Sequence, residues 1–331
     1  MRLSVIIPTH KRAGSLARSL RSVVALEDQT HSFEVVVVDN ARSEETAQVV
    51  QEIQGKGGGP AVRYVREDRL GAHNARHAGA RVATGELLLF SDDDITFSPR
   101  WVNAYIEAFS AHAGMAAAGG PIRAAWDAAP PDWLIDFMER KESFVGGDWG
   151  FGPLGLLDRS EELLIEQRGF FFSANMAIRR RVLFELGGFN PDLAGRTLLG
   201  DGETGLVYKL WKRELLIGYV PEAAVLHHIR PEQMTVGYLR ERYANQGACE
   251  TYSAFHPNLP GRKVLGRHAV SSARQAARAG VKAARVWNKT APADLRAQMY
   301  AAYEARCFLY TLRLIVDPRR RALVERDDWI N

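Results

Sequence analysis

The chain has 331 residues, 46% of them hydrophobic and 25% charged, a composition typical of globular proteins with a substantial core. No apolar stretch approaches the length of a membrane span, and the two cysteines lie too far apart in sequence for a disulfide framework or a CxxC metal site, so we expect a cytoplasmic protein. The net charge of +4 is uneven: residues 261–331 carry 15 Lys and Arg against 6 Asp and Glu, a sum of +9, which leaves −5 for residues 1–260 and suggests that the basic tail meets an anionic partner.

Strand and helix patterns alternate through the first hundred residues. Continuous apolar runs predict strands at 3–8, 33–40, 61–65 and 85–90, and apolar residues at helical spacing predict helices at 13–26, 44–53 and 72–83. Buried strands that alternate with helices predict a mostly parallel sheet covered on both faces.

The pattern is less regular beyond residue 101. Residues 101–168 are predicted to be loop-rich, and a strand at 170–180 precedes a short helix that ends at the glycines 187 and 188. The apolar run at 216–229 predicts one further strand. After Pro231 the pattern is mostly helical.

Polar motifs follow three of the predicted strands. PTHKR spans residues 8–12, DNAR spans 39–42 and SDDD spans 91–94. Ligands of open parallel sheets bind beyond the carboxyl ends of the strands, so these motifs predict a ligand site at that edge.

The last motif places three aspartates side by side. Asp92, Asp93 and Asp94 repel one another unless a cation lies among them, and carboxylates are ligands that Mg²⁺ and Mn²⁺ prefer. A cation held by one or two carboxylates keeps open positions for diphosphate oxygens. The alternative is a solvated turn, where aspartate is common. Because two other polar motifs share this edge, we favour the metal site.

Five segments carry a resemblance to a known family: SVIIPTHKRAGSL, VVVVDN, GAHNARHAGARVATGELLLFSDDDI, SANMAIRRRVLFELGGF and LLGDGETGLVYKL. Through them the chain resembles the family 2 inverting glycosyltransferases of the GT-A fold. The resemblance implies an α/β catalytic domain over residues 1–230, with a nucleotide-binding half at 1–100, an acceptor-binding half at 101–230 and a helical C-terminal region at 231–331. It also implies sugar transfer from a nucleoside diphosphate sugar, most simply a UDP-sugar, to a hydroxyl of a glycan, a lipid-linked saccharide or a small metabolite.

The resemblance assigns roles in donor binding. It implies nucleotide contacts for seven residues: Pro8, Thr9, Arg12, Asp39, Arg76, Asp92 and Asp93. Asp39 is expected to accept a hydrogen bond from a uracil-type ring nitrogen, and Arg76 is expected to lie near the phosphates, roles that suit a carboxylate and a guanidinium. Asp92 and Asp94 are expected to bind Mn²⁺ or Mg²⁺. His77 departs from the family, which usually has Asn at this position.

Inverting transfer also needs a carboxylate that takes the proton of the attacking hydroxyl. The family pattern falls on LLGDGETGL and can be aligned in two ways. Alignment back from Leu206 makes Glu203 the base, whereas alignment on the Asp-x-Glu spacing makes it Asp201. We prefer Glu203, because the threonine that often follows the base in the family is kept. An acidic helix cap or first turn is the structural alternative and is compatible with this role.

A late histidine is a further candidate metal ligand in families with this layout. His227 and His228 end an apolar strand, where neighbouring side chains face opposite ways, so only one can point inward. We choose His227, which shares a face with Val225. A structural histidine held by hydrogen bonds is the alternative.

Acceptor contacts are expected from the loop-rich segment. Trp126, Trp133 and Trp149 could present flat faces to a sugar or lipid-like acceptor, or could seal the core beneath a long loop. We assign Trp126 and Trp149 to the acceptor site. Asn175 is added because it matches a family position on the acceptor side.

A basic stripe marks the tail. Its members are spaced by 7, 4, 4, 3 and 4 residues and share one side of a helix: Arg267, Arg274, Arg278, Lys282, Arg285 and Lys289. Such a stripe beside small apolar residues suits the anionic inner face of a membrane. It could instead pack on the acidic body or support a homo-oligomer. No nucleic-acid partner is expected, because aromatic interleaving is missing.

Two other functions stay open. A sugar-nucleotidyltransferase shares the alternating sheet and the metal, but IIPTHKRAGSL lacks the glycine-rich loop with Arg and Lys expected after its first strand. A non-catalytic nucleotide-binding or membrane-tethering module needs no base, and the acid at position 203 argues against it.

Overall fold

The computed structural model describes residues 1–26, 33–56, 59–140, 150–194, 197–198 and 200–331. Its helices are α1 (Ala13–Val24), α2 (Glu44–Lys56), α3 (Ala72–Val82), α4 (Trp101–Ala111), α5 (Asp132–Glu139), α6 (Arg180–Glu185), α7 (Gly202–Lys212), α8 (Val236–Phe255), α9 (Arg262–Ala284), α10 (Pro292–Val316) and α11 (Pro318–Glu325). Its strands are β1 (Leu3–Thr9), β2 (Phe33–Asp39), β3 (Ala61–Arg66), β4 (Leu87–Ser91), β5 (Ile95–Phe97), β6 (Met115–Gly119), β7 (Ile122–Trp126), β8 (Gly150–Phe151), β9 (Leu156–Leu157), β10 (Leu164–Glu166), β11 (Asn175–Arg179), β12 (Leu193–Ala194), β13 (Thr197–Leu198), β14 (Leu216–Tyr219) and β15 (Val225–Ile229).

The central sheet has eight strands in the order β10-β14-β6-β11-β4-β1-β2-β3. Strands β3, β2, β1 and β4 are parallel, and so are β6 and β14, whereas β11 and β10 are antiparallel to their neighbours. Alternate residues of β1 enter different core clusters: Val5 and Ile7 lie in one and Ile6 in the other. Both faces of the sheet are therefore covered, which confirms the predicted α/β architecture.

Helix α3 lies directly on β1 because Gly79 has no side chain at the contact. A Cβ atom added at Gly79 would lie 2.5 Å from Ile6 Cγ2 and 3.1 Å from Val38 Cγ2. This close packing fixes the height of α3 above the sheet, and with it the positions of His73 and Arg76 near the carboxyl ends of the strands.

A second sheet, in the order β5-β15-β7-β9-β8, begins directly after the three aspartates. The prediction of one strand at 216–229 is wrong, because β14 joins the central sheet and β15 joins the second sheet. In the second sheet His227 is opposite Ile95, and the backbone N–H of His228 donates to the carbonyl of Asp94 at 2.9 Å. Because β15 belongs to the second sheet, His227 and His228 lie next to the acidic triplet.

The prediction of a loop-rich segment at 101–168 is also wrong for most of its described part, which contains α4, α5 and five strands. Seven of the eleven residues of α4 are buried, and β6 has the sequence MAAAG with every residue buried. A helix with most of its surface buried and a strand buried on both faces show little of the alternation of polar and apolar residues that makes a periodic pattern, so their sequences contain no clear signal.

Helices α8 to α11 form a C-terminal extension, which confirms the predicted helical character of that region. Residues of α8 and α10 join the core cluster on one face of the central sheet: Leu239, Tyr243, Leu295 and Met299. The chain then returns to the central body, where the Trp329 N–H donates to the Gly187 carbonyl at 2.8 Å. Within the described ranges, no helix combines the length and the apolarity needed to cross a bilayer.

Candidate active site

A cavity of about 340 Å³ opens at the carboxyl edge of β1 and β2. Sites for small ligands typically have volumes of roughly 300–1,000 Å³. Five of the seven residues predicted to contact the nucleotide line this cavity: Pro8, Thr9, Arg12, Arg76 and Asp92. The other two, Asp39 and Asp93, have no exposed surface. The fold therefore brings the three polar motifs to one place, as their positions after the strands predicted.

Two arginines balance the three adjacent aspartates. Arg12 Nη2 lies 2.5 Å from Asp93 Oδ1, and Arg12 Nη1 donates to Asp94 Oδ2 at 2.6 Å. The hydroxyl of Thr9 adds a hydrogen bond of 2.6 Å to Asp93 Oδ2. Asp92 instead accepts from Arg76 Nη2 at 2.5 Å. The triplet is thus held by cations from two separate elements, the loop after β1 and helix α3.

Burial affects the two inner aspartates differently. Desolvation, reinforced by the neighbouring charge of Asp94, raises the pKa of Asp93 to about 7 despite the opposing charge of Arg12. Desolvation also acts on Asp94, but the hydrogen bond and charge of His227 and the charge of Arg12 outweigh it and hold the pKa of Asp94 well below its usual range. Asp94 is therefore ionised at neutral pH, the state that a metal ion requires.

Asp39 is tied to its own chain. Its Oδ1 accepts from the Ala41 N–H at 2.8 Å, and its Oδ2 accepts from the Ser43 N–H and the Tyr64 hydroxyl, each at 2.7 Å. An ionised carboxylate offers about four acceptor positions, so the protein itself fills three of them. Asp39 organises the loop after β2, and its contact with a base ring stays a prediction.

A chain of contacts joins the cavity to Glu203. Arg76 bonds Asp92 through Nη2 and donates through Nη1 to His73 Nδ1 at 3.1 Å. On the far side of the imidazole, His73 Nε2 lies 3.3 Å from Glu203 Oε2. The side chain of Glu203 is 27% exposed, whereas His73 and Arg76 are almost fully buried. Glu203 is therefore the solvent-exposed last member of a series of buried polar contacts that starts in the cavity.

The environment keeps Glu203 ionised. Burial alone would raise its pKa, but the hydrogen bond from His73 and the positive charge of Arg76 lower it below its usual value. The carboxylate is thus in its proton-accepting form at neutral pH and reaches solvent.

Asp201, the alternative base, has a different environment. It precedes α7 and is 4% exposed; its Oδ1 accepts from the Asn190 amide at 2.9 Å and its Oδ2 from the Ser253 hydroxyl at 2.6 Å. Burial raises its pKa above the usual value. Because both oxygens are engaged internally, Glu203 is better placed to receive a proton from a ligand.

The two late histidines face opposite ways. His227 Nδ1 lies 2.9 Å from the Leu154 carbonyl, which can only accept, so this nitrogen carries the proton. The other nitrogen, Nε2, lies 3.6 Å from Asp94 Oδ1. His228 Nδ1 lies instead 3.2 Å from Asp127 Oδ1. A metal-binding histidine commonly donates its second N–H to a carbonyl, which is the arrangement of His227.

The donor set at this point suits a divalent cation shared with a ligand. Among the residues that the structure describes, no group of three or more His, Cys, Asp or Glu side chains is arranged to hold a metal ion. Asp94 Oδ1 and His227 Nε2 nevertheless face each other, and two acceptors at this separation need a proton or a cation between them. A hard cation held by so few protein ligands completes its shell with water and phosphate oxygens.

The predicted acceptor residues are not all brought to the site. Trp126 ends β7, is partly buried and packs against the core, as does Trp133. Trp149 lies outside the described residues. The acceptor roles of Trp126 and Trp149 stay predictions.

Asn175 has no exposed surface, and its side chain makes four internal hydrogen bonds. Nδ2 donates to the carbonyls of Pro121 and Ala223 at 3.0 and 2.8 Å, and Oδ1 accepts from Trp101 Nε1 and the Tyr105 hydroxyl, each at 2.8 Å. These bonds use every donor hydrogen and both acceptor positions of the amide. In this structure Asn175 is a buried residue that ties β11 to its surroundings, and it has no surface to offer an acceptor.

Sequence reasoning missed His73 and gave no reason for His77. The rings of His73 and Phe189 stack with centroids 4.7 Å apart, and the Phe189 N–H donates to His77 Nε2 at 2.9 Å. Burial holds the pKa of His77 well below its usual value, so the ring stays neutral and can accept this bond. The available signal was the spacing of His73 and Arg76, three residues apart on one helical face.

The fold and the site define the class of the protein. An acidic triplet and two arginines lie at the carboxyl edge of a mostly parallel sheet, and a second, mixed sheet starts directly after the triplet. This is the GT-A architecture of nucleotide-sugar-dependent glycosyltransferases.

The particular family follows from comparison with known sequences. The model of the family described as "Glycosyl transferase family 2" matches residues 4–187, more than half of the chain, and the chain belongs to this family.

Individual proteins show the same relationship. The validoxylamine A glucosyltransferase of Streptomyces hygroscopicus subsp. jinggangensis is 38% identical over 122 residues, which cover 35% of this chain and 26% of that protein. The glucosyl-dolichyl phosphate glucuronosyltransferase of Haloferax volcanii is 28% identical over 196 residues, or 58% of this chain and 57% of that protein. These alignments therefore span only about a quarter and just over half of the curated relatives.

Among solved structures, the chain is similar to the mannosyltransferase PcManGT from Pyrobaculum calidifontis in complex with GDP-Man and Mn²⁺. The TM-score is 0.57 with 19% identity, and the match covers 93% of this chain and 87% of that one. At this identity the likeness shows the fold. It includes the C-terminal helices, because the coverage extends well beyond the family model.

Proposed function

We propose that the chain is an inverting, metal-dependent glycosyltransferase that moves a sugar from a nucleoside diphosphate sugar to an acceptor hydroxyl. The observation that carries the proposal is the chain of contacts from Asp92 through Arg76 and His73 to Glu203. It joins a cavity suited to a small ligand to an ionised carboxylate that reaches solvent. Membership of the family supports the same chemistry.

Glu203 is the proposed general base. As the acceptor oxygen bonds to the anomeric carbon, its proton becomes more acidic and passes to the Glu203 carboxylate. The bond between the anomeric carbon and the diphosphate oxygen breaks, and its electron pair leaves with the nucleoside diphosphate. Attack on the face opposite the leaving group inverts the anomeric configuration.

Asp92, Asp94 and His227 are the residues that we propose to hold Mn²⁺ or Mg²⁺. When bound, the cation supplies Lewis-acid stabilisation of the charge that develops on the leaving diphosphate. Arg12 holds Asp94 in place and, with 33% of its side chain exposed, can also reach phosphate oxygens.

A UDP-sugar is the donor that we propose. Because the structurally similar mannosyltransferase was solved with GDP-Man, the identity of the nucleotide needs to be tested. The test is a thermal-shift series of UDP-, GDP- and dTDP-sugars with and without Mn²⁺. We expect the Tm to rise with UDP-sugars but not with GDP- or dTDP-sugars, and to rise only when Mn²⁺ is present. At a hundredfold excess over Kd the rise should be about 5 °C. Equal responses to all nucleotides, or none with any, would contradict the assignment.

Product analysis separates this proposal from its rivals. Glycosyl transfer releases a nucleoside diphosphate, whereas a nucleotidyltransferase releases pyrophosphate. A binding module without catalysis would show the thermal shift but no turnover with any acceptor.

The acceptor that we propose carries its hydroxyl on a glycan, a lipid-linked saccharide or a small metabolite. The two curated relatives are named for acceptors of different size, validoxylamine A and glucosyl-dolichyl phosphate. Trp126 and Trp149 remain the proposed aromatic contacts.

The basic face of α9 is the part of the surface that we propose to contact an anionic membrane. We define it as the six exposed residues Arg267, Arg274, Arg278, Lys282, Arg285 and Lys289, of which Arg285 caps the end of the helix and Lys289 follows the turn after it. Val270 and Val281 lie along the same side and are 53% and 59% exposed. Residues 262–289 contain no Asp or Glu. Exposure of all six cations argues against packing on the acidic body, and each can contribute about 1 kcal/mol at an anionic surface.

Vesicle binding tests this surface. We expect the protein to sediment with phosphatidylserine–phosphatidylcholine vesicles and not with phosphatidylcholine alone, and we expect the R274E/R278E/K282E variant to lose at least about tenfold in affinity. The control variant K56E/R181E/R213E makes the same charge change at exposed sites elsewhere and should bind like the original. Equal loss in both variants, or binding to DNA in preference to the vesicles, would overturn the proposal.

A further inference from the structure

We infer that His73 is a positioning residue for the reaction: it holds the Glu203 carboxylate in place, and its own orientation is set by Arg76. The inference rests on the proposed function and deepens it, because it names how the base is fixed relative to the donor cavity.

The imidazole of His73 is held in a fixed plane. It is 2% exposed and stacks on the ring of Phe189 at an interplanar angle of 17°. The start of α7 packs directly against its edge, because a Cβ atom added at Gly202 would lie 2.6 Å from His73 Nε2. Gly202 also has a φ of 55°, a left-handed conformation that favours glycine. The backbone that carries Glu203 therefore closes against the imidazole itself.

Arg76 determines which imidazole nitrogen carries the proton. A guanidinium can only donate, so the contact of 3.1 Å from Arg76 Nη1 requires an unprotonated Nδ1 on His73. In the neutral ring the proton is then on Nε2, the atom that lies 3.3 Å from Glu203 Oε2. His73 therefore presents an N–H group to the carboxylate, without needing a positive charge of its own.

This contact acts on both the direction and the charge of Glu203. A glutamate carboxylate at the end of three rotatable bonds can adopt several rotamers, and one buried donor restricts it to those that reach His73. The donor also favours the ionised form, as does the charge of Arg76 on the same helix. Two other titratable groups lie near the base: Asp201, which directly precedes α7, and Cys249 on α8, whose pKa is raised mainly by burial.

The same geometry links the base to the donor side. Arg76 donates to Asp92 in the cavity with one nitrogen and to His73 with the other. A displacement of Arg76 is therefore passed to Glu203 through two contacts, Arg76–His73 and His73–Glu203, and a displacement of Asp92 through three. Misplacement of a reacting group by about 1 Å can cost on the order of a hundredfold in rate, so this linkage is large enough to matter.

Two substitutions separate positioning from packing. His73→Phe keeps a ring that can stack on Phe189 but removes both hydrogen bonds. His73→Gln keeps an acceptor for Arg76 and a donor for Glu203. With the donor identified by the thermal-shift series, we expect H73F to lower kcat about tenfold with the donor KM changed less than about twofold, and H73Q to recover most of the rate.

The pH profile gives a readout that a packing role would not move. A base works above its pKa and fails as the pH falls through it. His73 lowers the pKa of Glu203, so its loss in H73F should move the acidic limb of kcat/KM to higher pH, whereas H73Q should leave the limb in place. Nitrogen-15 NMR of the original protein should show His73 protonated at Nε2.

The outcomes distinguish this inference from the proposed function. If the original protein is active and Glu203→Gln is inactive, but H73F keeps the original rate and pH profile, then His73 does not position the base and only this inference fails. Protonation of His73 at Nδ1 would overturn it as well. If no donor and acceptor pair turns over with the original protein, the proposed function itself fails.

Discussion

Glu203→Gln is expected to lower kcat for sugar transfer by about 10³-fold while donor binding stays intact, a loss of about 4 kcal/mol of transition-state stabilisation. The amide has nearly the same size as the carboxylate, and its oxygen can keep the contact with His73, but it cannot take the proton of the acceptor. Release of nucleoside diphosphate in the presence of acceptor measures the rate, and the Mn²⁺-dependent thermal shift measures donor binding.

Asp201→Asn is the matched comparison two residues away. Asn keeps an oxygen for the Asn190 amide, and the Ser253 hydroxyl can turn to the Cys249 carbonyl, which already lies 3.0 Å away. We therefore expect a less stable protein with nearly full activity per folded molecule. Full activity in E203Q together with its loss in D201N would move the role of the base to Asp201.

His227→Gln is expected to weaken Mn²⁺ binding by about a hundredfold, because the site loses one of its few protein ligands. Changes even in groups that only support metal ligands cost about 10–100-fold in metal affinity. Titration of free Mn²⁺ by electron paramagnetic resonance, with and without nucleotide, measures this affinity directly. Activity at limiting Mn²⁺ should fall in parallel and recover partly at high Mn²⁺.

His228→Gln is the control for this measurement. His228 is adjacent in sequence but faces Asp127 and Thr96, on the side of the strand away from Asp94. Its substitution should leave Mn²⁺ affinity within about twofold of the original. An equal loss in both variants would show that the strand end, and not the imidazole of His227, is what the metal depends on.

The central sheet was predictable because its strands are continuous apolar runs that alternate with helices of clear period. The predicted strands at 3–8, 33–40, 61–65 and 85–90 correspond to β1, β2, β3 and β4. The prediction failed where an element is mostly buried, as α4 is, or wholly buried, as β6 is, and where one apolar run serves two sheets, as at 216–229. In both cases local periodicity carries no information about which neighbours an element will have.

Parts of the candidate site were visible in the sequence for a related reason. The motifs after β1, β2 and β4 had to meet, because parallel strands end at one edge of a sheet. What offsets the repulsion among the three aspartates was only partly predicted from the sequence. A cation was expected at the triplet, but Arg12 and Arg76, from two separate elements, already bond to it.

The sequence by itself determined the family of the protein, the positions along the chain of the strands β1 to β4, and the edge of the sheet where polar side chains gather. These follow from local apolar patterns and from motifs that each lie within a few residues. Only the tertiary structure decided that His227 and not His228 faces Asp94, that Asp201 and Asn175 are buried by internal hydrogen bonds, and that His73 meets Glu203. Each of these depends on contacts between residues far apart in the chain and on the burial they produce, and neither distance nor burial is encoded in a local period.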